Sequence, residues 1–227
     1  MIAVISDIHG NLWALEAVLA ELDRRSIEQV VVGGDLALGG PRPAECVELI
    51  RRRGYPGIRG NTDEWVTRRP QAVTDGITWC AAHLAEEDRR FLAGLPFLWR
   101  QEGSNGDLVV LHATPWSIGD VVRADAPARV VGRVFAEAKA SAVVFGHIHM
   151  PFVRSAPEGL LVNSGSVGLP FDGNWHASFA LLDGREEGWS ATIHRISYDR
   201  DAALAASRAS DNPEAGRWER RVETAAF

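Results

Sequence analysis

The first part of the chain alternates short apolar runs with longer segments in which apolar residues recur every three or four positions. This alternation predicts strands separated by amphipathic helices. In the order strand, helix, strand, helix, strand, the segments are IAVIS (2–6), NLWALEAVLAELDRR (11–25), QVVVGG (29–34), PAECVELIRRR (43–53) and PGIRG (56–60). One or two further helices are predicted within residues 78–96, where Gly94 and Pro96 mark the helix end.

From residue 97 onward the pattern changes to short β-branched or aromatic runs separated by Gly, Asn and Asp, which indicate strands. The predicted strands are FLWRQEG (97–103), DLVVLHA (107–113), SAVVFGH (141–147), LLVNSG (160–165), ASFALLD (177–183) and WSATIHRIS (189–197). One helical pattern, residues 127–140, interrupts them. A β-α-β half followed by a strand-rich half predicts an α/β fold in which two mixed sheets pack face to face, with helices outside.

The end of the chain is again predicted to be helical, as two Ala- and Arg-rich helices interrupted at Asn212 and Pro213. This helical tail begins at about residue 199 and shows no evident chemistry. Because no internal repeat or long linker divides the sequence, we predict a single domain over residues 1–227 that ends in this tail.

Composition narrows the function classes. With 227 residues, 46% of them hydrophobic, the chain can bury a substantial core. A formal net charge of −6 argues against duplex nucleic acid as a partner, because such binding needs a basic face. The sequence begins without a basic leader and has no apolar run of membrane-spanning length. We therefore expect a cytoplasmic protein that does not bind membranes.

Polar side chains that can bind metal ions follow the apolar runs. These residues are Asp7, His9, Asp35, Asn61, His112, His147 and His149. Each lies after the carboxyl end of a predicted strand, the edge at which open α/β sheets bind ligands, so we expect them to converge on one crevice. Residues i and i+2 of an extended segment point the same way, which predicts that Asp7 with His9, and His147 with His149, aim at one place.

This donor set has a chemical preference. Four imidazoles, two carboxylates and one amide, with no thiolate, suit a borderline divalent ion such as Mn, Fe, Co, Ni or Zn. Seven donors exceed one tetrahedral site but suit two adjacent ions that share a bridging carboxylate. A hydroxide that bridges two such ions is a nucleophile at neutral pH, and the ions neutralise charge on a phosphoryl group. Each residue taken alone has an alternative role as a helix cap or turn former.

The motifs SDIHGN, GGD, GN and GHIH, with a strand-terminal His112, resemble those of the calcineurin-like metallophosphoesterases, specifically the small bacterial and archaeal phosphodiesterase branch. The resemblance implies a four-layer α/β/β/α sandwich. It also implies that Asp7, His9 and His149 hold one ion, that Asn61, His112 and His147 hold the other, and that Asp35 bridges them. By the same resemblance, Asp35, Asn61 and His147 are catalytic, and manganese is the expected metal.

The chain departs from the family pattern directly after Asn61. Many relatives have a histidine there that protonates the leaving group, whereas this chain has Thr62, whose hydroxyl is too weak an acid. We therefore expect substrates whose leaving group needs little protonation, such as aryl phosphodiesters or phosphoanhydrides. Thr62 and Asp63 are interpreted as caps of the following helix, although Asp63 can also orient its neighbours.

Several residues near these motifs are candidates for substrate contact. Asn11 and Arg42 are candidate phosphate ligands, with helix-terminal roles as the alternative. For Trp116, Phe171 and Trp175, packing is favoured over stacking on a substrate. The loop NSGSVGLPFDG (163–173) has Ser164 where the family usually has proline. It is either a tight turn near the active edge or a plain connection between strands.

The leading hypothesis is a dinuclear metal-dependent phosphoesterase that cleaves phosphodiester or phosphoanhydride bonds of a small phosphorylated or nucleotide substrate. A phosphatase of phosphoproteins or small phosphomonoesters and a catalytically weak metal-binding interaction scaffold are the alternatives. The complete set of donors favours an enzyme, because a scaffold has no chemical need for it. The sequence leaves homo-oligomerisation open.

Overall fold

The structure of the protein is a computed structural model that describes residues 1–68, 73–104, 106–185 and 188–227. The strands are β1 Ile2–Ile5, β2 Gln29–Val32, β3 Leu98–Gln101, β4 Leu108–Leu111, β5 Ala142–Phe145, β6 Phe152–Ala156, β7 Gly159–Asn163, β8 Ala177–Arg185 and β9 Gly188–Ile196. The helices are α1 Leu12–Arg24, α2 Pro43–Arg53, α3 Asn61–Arg68, α4 Asp75–His83, α5 Glu86–Gly94, α6 Ala128–Ala138, α7 Arg200–Arg208 and α8 Ala215–Thr224.

The strands form two mixed sheets. The first has the order β2-β1-β8-β9, in which β1 runs parallel to β2 and antiparallel to β8. The second has the order β3-β4-β5-β7-β6, in which β4, β5 and β7 are parallel and both edge strands are antiparallel to their neighbours. Because parallel strands end at the same edge of a sheet, the segments that follow them lie side by side.

Side chains alternate between two apolar layers along each central strand. In β1, Ala3 and Ile5 pack among the helices, whereas Ile2 and Val4 pack between the two sheets. The residues of β5 divide in the same way between the layer shared by the sheets and a layer under α6. Helices therefore cover the outer face of both sheets, and the predicted four-layer α/β/β/α sandwich is confirmed.

Two strand predictions differ from the structure. Residues 56–60 make one isolated bridge, Val32 with Gly57, instead of a strand, because the chain turns into α3 directly after that contact. The edge strand β6 has no counterpart among the predicted strands. Its residues alternate between half-buried and exposed, and Arg154 interrupts the apolar run, so the segment lacks a continuous apolar signature.

The helical tail is interrupted at Asn212 and Pro213 as predicted, and it packs on the helices that cover the first sheet. Leu204 from α7 and Trp218 from α8 are buried in the same cluster as Leu15 from α1. In the described part of the chain, no helix has the length and apolar character that crossing a membrane requires.

Phe179 tests the assignment of the outer apolar layer, because it is fully buried between β8 and the helices. We expect Phe179→Ala to lower the free energy of unfolding by about 3–5 kcal/mol, through lost contacts and a residual cavity. Urea unfolding followed by circular dichroism measures this change. Val153→Ala, at a position 41% exposed on β6, is the control and should change the free energy by less than about 0.5 kcal/mol. Equal losses for the two variants would contradict the layer assignment.

Candidate metal centre

The polar residues that follow β1, β2, β4 and β5 meet at one edge of the two sheets. Six of the seven predicted donors are buried: Asp7, His9, Asp35, Asn61, His112 and His149. His147 is half-buried, and its ring centre lies 5.1 Å from that of His112. The structure thus brings all seven predicted donors together.

The first group within this cluster consists of Asp7, His9 and His149. His149 Nε2 lies 3.1 Å from Asp7 Oδ1 and also 3.1 Å from His9 Nε2. The ligand atoms of the three residues all lie within 4.8 Å of one another, which is close enough to hold one metal ion.

Asp35 lies between this group and the remaining donors. Its Oδ2 is 3.6 Å from His9 Nε2 and 3.6 Å from His112 Nε2. On the far side, His112 Nε2 lies 3.0 Å from Asn61 Oδ1. Asp7, Asp35 and His112 also form a group whose ligand atoms lie within 4.8 Å of one another. A carboxylate in this position can contact ions on both sides.

Backbone carbonyls set which imidazole nitrogen faces the cluster. The Nδ1 atom lies 2.6 Å from Leu38 O in His9, 2.8 Å from Gly33 O in His112 and 2.6 Å from Leu169 O in His149. A carbonyl oxygen only accepts, so each Nδ1 carries a proton, and in the neutral ring each Nε2 offers a lone pair. In His147 the Nε2 atom lies 3.0 Å from Gly119 O, which leaves Nδ1 as the acceptor. Rings oriented in this way are ready to bind metal ions.

Left-handed backbone conformations direct the side chains into the cluster. Five of the seven donors have φ between 49° and 64°: Asp7, His9, Asp35, His147 and His149. L-residues rarely adopt this conformation, and when they do it is concentrated at functional sites. The prediction that each pair of donors lies on an extended segment is therefore wrong, because left-handed residues at both positions of each pair bend the backbone.

Close packing holds the Asp7 carboxylate in place. Burial raises the pKa of Asp7, but the charge of a protonated His149 ring and its hydrogen bond to the carboxylate, together with the charges of His112 and His9, lower that pKa by more, so it lies below its usual range. The backbone N–H of His147 donates to Asp7 Oδ2 at 3.0 Å. The preceding residue is Gly146, where a Cβ atom would overlap both Asp7 Oδ2 and Ser6 Oγ. A side chain at position 146 would therefore displace a candidate ligand.

Asp63 orients the backbone that carries Asp35. Its carboxylate accepts hydrogen bonds from the N–H groups of Asp35 at 2.8 Å, Leu36 at 2.9 Å and Gly60 at 3.0 Å. Burial and the charge of Asp35 raise the pKa of Asp63 to about 6, although the three donors oppose that rise. Asp63 is the third residue of α3, and its hydrogen bond from the Gly60 N–H caps the start of this helix, in agreement with the predicted capping role. The bonds to residues 35 and 36 are an additional role.

Thr62 is the second residue of α3 and does not cap this helix through its side chain. Its backbone N–H donates to Asp35 Oδ1 at 2.9 Å, so the carboxylate lies at the positive N-terminus of α3. The Thr62 hydroxyl is buried and has no hydrogen-bond partner in the part of the chain that the structure describes. It remains available to donate to a ligand.

The loop at 163–173 supports the centre from behind. Ser166 Oγ donates to the backbone carbonyl of Asp7 at 2.6 Å, and the Leu169 carbonyl holds the His149 ring. Asn163 Nδ2 donates to the carbonyl of Gly146, the first residue of the GHIH segment, at 2.6 Å. The loop connects β7 with β8, and these hydrogen bonds show that it also contacts the active edge.

Asn11 and Arg42 are not among the described residues that line the cavity beside the centre. The Asn11 amide donates to a backbone carbonyl at 2.9 Å and to the Tyr198 hydroxyl at 3.2 Å, and its oxygen accepts from Ala14 N–H at the start of α1. Arg42 precedes α2 and pairs with Glu45 at 3.2 Å. These contacts match the helix-terminal alternatives, and a phosphate contact by either residue stays an untested prediction.

A cavity of about 310 Å³ opens beside the cluster. Part of its wall comes from the helical tail: Glu214, Arg217, Trp218, Arg221 and Phe227. Sequence reasoning found no chemistry in this tail, because these residues form no motif and lie far along the chain from the last donor. Of the aromatic candidates, Phe171 lines the cavity and stacks on His149 with ring centres 4.4 Å apart. Trp116 and Trp175 instead stack on arginines.

Comparison with known proteins points to one family. Residues 1–187 match the model of the calcineurin-like phosphoesterase superfamily domain. The chain is 33% identical over 222 residues to the uncharacterized protein MJ0912 of Methanocaldococcus jannaschii, with 88% of each chain covered. It is 27% identical over 188 residues to the phosphodiesterase YfcE of Escherichia coli, and this alignment covers 78% of this chain and 84% of that protein. A metallophosphoesterase structure from Sphaerobacter thermophilus superposes with a TM-score of 0.82 at 28% identity, covering 99% of this chain and 98% of the other.

Because Asp63 holds the backbone of Asp35 as well as the start of α3, its replacement is predicted to weaken metal binding and to destabilise the protein. We expect Asp63→Asn to lower the free energy of unfolding by about 1–3 kcal/mol and to weaken metal binding about 10- to 100-fold, because an amide cannot accept all three N–H groups. Chemical denaturation and metal titration measure the two effects. Glu64→Gln, on the outer side of the same helix, is the control. Unchanged metal affinity in Asp63→Asn would refute the orienting role.

Proposed function

The chain belongs to the calcineurin-like phosphoesterase superfamily and is a metal-dependent phosphoester hydrolase, and from this premise we propose that it is a dinuclear enzyme that cleaves phosphodiester or phosphoanhydride bonds. The observation that carries the proposal is Asp35 Oδ2, which lies 3.6 Å from an imidazole nitrogen on each side. When bound, two such ions acidify a water molecule and neutralise charge on the phosphoryl group.

The roles of the donors follow from their grouping. In the proposal, Asp7, His9 and His149 hold one ion, Asn61, His112 and His147 hold the other, and Asp35 contacts both. The inward-facing lone pairs of the three buried rings support this division. A mixed imidazole and carboxylate set suits borderline divalent ions, with manganese expected and Fe, Co, Ni or Zn as alternatives.

Thr62 supports a restriction on the leaving group. Thr62 lines the cavity and its buried hydroxyl has no partner among the described residues, so the hydroxyl can donate a hydrogen bond to the substrate, but its proton is held too tightly for general acid catalysis. The enzyme therefore favours leaving groups that depart with little protonation. A related protein is named a phosphodiesterase, which supports the phosphodiester as the reacting bond.

The metal content tests the dinuclear arrangement. We expect the wild-type protein to bind two manganese ions per chain, and Asp35→Asn to lose at least one of them, because the bridging ligand loses its charge. Hydrolysis of bis(4-nitrophenyl) phosphate should fall about 100-fold or more. Elemental analysis and a colorimetric assay measure both quantities, with Glu45→Gln as the control. Binding of one ion by the wild type, or of two by the variant, would disprove the arrangement.

The choice of substrate tests the role of Thr62. Across pH 6 to 9, we expect kcat/KM for bis(4-nitrophenyl) phosphate to exceed that for glycerol 2-phosphate about 100-fold, because general acid catalysis contributes about 10²–10⁴ in rate where it operates. Thr62→Ser should keep this preference. If the wild type preferred the alkyl monoester, the enzyme would instead be a phosphomonoesterase with another acid.

A further inference from the structure

The helical tail forms a fixed wall of the cavity. Asn212 Nδ2 donates to the Gly39 carbonyl at 2.9 Å. Gly39 follows Leu38, whose carbonyl accepts from the His9 ring. Beyond α8, the Ala225 carbonyl accepts from the N–H of Gly173 at 2.9 Å. The tail is therefore attached to the loops around the metal centre at both ends of α8. Helix α8 also lies outside residues 1–187, the segment matched by the family model.

Arg221 is a cation of this wall that makes no ion pair with any described residue. Its guanidinium carbon lies 4.5 Å from the ring centre of Phe227 and 5.5 Å from that of Phe171. Among the residues that the structure describes, no carboxylate pairs with it and no oxygen accepts its hydrogen bonds. An arginine remains protonated in this setting, so the guanidinium of this cavity-lining residue keeps its N–H donors beside two aromatic rings.

The surrounding charges leave this part of the wall positive. Burial and the charge of Arg217 lower the pKa of Arg221, whereas Glu214 raises it. Arg217 and Glu214 lie 3.9 Å apart and line the same cavity. The single carboxylate of Glu214 therefore lies near the two guanidinium groups of Arg217 and Arg221, and the excess positive charge favours binding of an anion.

Trp218 adds a second donor that lacks an acceptor. Its indole ring is buried and lines the cavity, and Nε1 has no hydrogen-bond partner within the described ranges. Buried N–H groups are nearly always paired, and Trp218 is a cavity-lining residue, so its unpaired N–H is a candidate donor to a ligand in the cavity. Trp218 and Arg221 lie three residues apart on α8, which places them on neighbouring turns of one helix face.

Phe171 connects this pair of donors to the metal centre. One of its neighbours is the His149 ring, with centres 4.4 Å apart, and another is the guanidinium of Arg221. Arg221 is thus separated from a candidate metal ligand by a single aromatic ring. A substrate whose reacting phosphate lies at the centre can extend along the cavity to Arg221.

We propose that Arg221 and Trp218 form a second anion subsite that binds a phosphate group of the substrate other than the one being cleaved. The inference rests on the proposed function and defines its substrate class. The preferred substrates carry a second phosphate beside the reacting ester or anhydride, as nucleoside polyphosphates and phosphorylated nucleotide diesters do. A guanidinium can bind such a group through two parallel hydrogen bonds, with the indole N–H as a third donor.

A matched pair of chromogenic esters tests the subsite. Thymidine 5′-(4-nitrophenyl phosphate) and the same ester with an added 3′-phosphate differ in one anionic group. For the manganese-loaded wild type, we expect kcat/KM to be about 10-fold or more higher for the 3′-phosphorylated ester, as one charge-assisted contact allows. Arg221→Gln should abolish this preference by raising KM for the 3′-phosphorylated ester about 10-fold more than KM for the simpler ester. Trp218→Phe should reduce the preference in part.

Arg220→Gln, at an exposed position of α8, is the matched control and should keep the preference. Arg221→Lys should keep part of it, because the charge remains while the paired hydrogen bonds are lost. An equal change for both esters, or no change, in Arg221→Gln would overturn the subsite. Melting temperatures of all variants exclude a folding defect as the cause.

Binding of inorganic pyrophosphate separates this inference from the proposed function. If the manganese-loaded wild type hydrolyses neither ester, the proposed function fails. Calorimetric titration with pyrophosphate then tests whether the subsite exists. Weaker binding to Arg221→Gln than to Arg220→Gln would support the subsite without any turnover. Identical binding to the two variants would overturn it.

Discussion

The structure depends on holding two carboxylates and four imidazoles at one buried place. Asp7 and Asp35 are surrounded by rings whose lone pairs face inward, and such groups do not cluster without an external constraint. Backbone carbonyls behind the rings and N–H groups behind the carboxylates supply this constraint. The result is a pre-oriented set of donors. A metal ion that binds there meets ligands already in place.

Strained backbone is the local consequence of this arrangement. Most of the donors adopt left-handed φ values, and the chain passes so close to Asp7 that only glycine is tolerated at position 146. The two sheets and their shared apolar layer make the strain sustainable, because they hold the strands from which the donor segments emerge. Asp63 and the loop at 163–173 extend the support to the turns. Stability and site geometry are therefore properties of the same packing.

In our proposals, chemistry and selectivity come from different parts of the chain. The candidate metal donors belong to the segment shared with the family, whereas α8 contributes Arg221 and Trp218, whose N–H groups have no hydrogen-bond acceptor among the described residues. Thr62 belongs to the segment shared with the family, and the proposed function gives it a part in the choice of leaving group. The proposed subsite on the tail then selects the substrate class that the metal centre cleaves. This division explains why motif residues alone identify the reaction and leave the substrate open.

The sequence by itself determined the layers of the fold and indicated the candidate donors, because the periods of apolar residues and the polar residues after strands are local signals. It also indicated the interruption at Asn212 and Pro213. Only the tertiary structure decided that Asp63 orients Asp35, that the Asn11 amide is engaged inside the protein, and that Arg221 reaches Phe171. These contacts join segments far apart in the chain. Their existence depends on how whole helices pack, which no local spacing encodes.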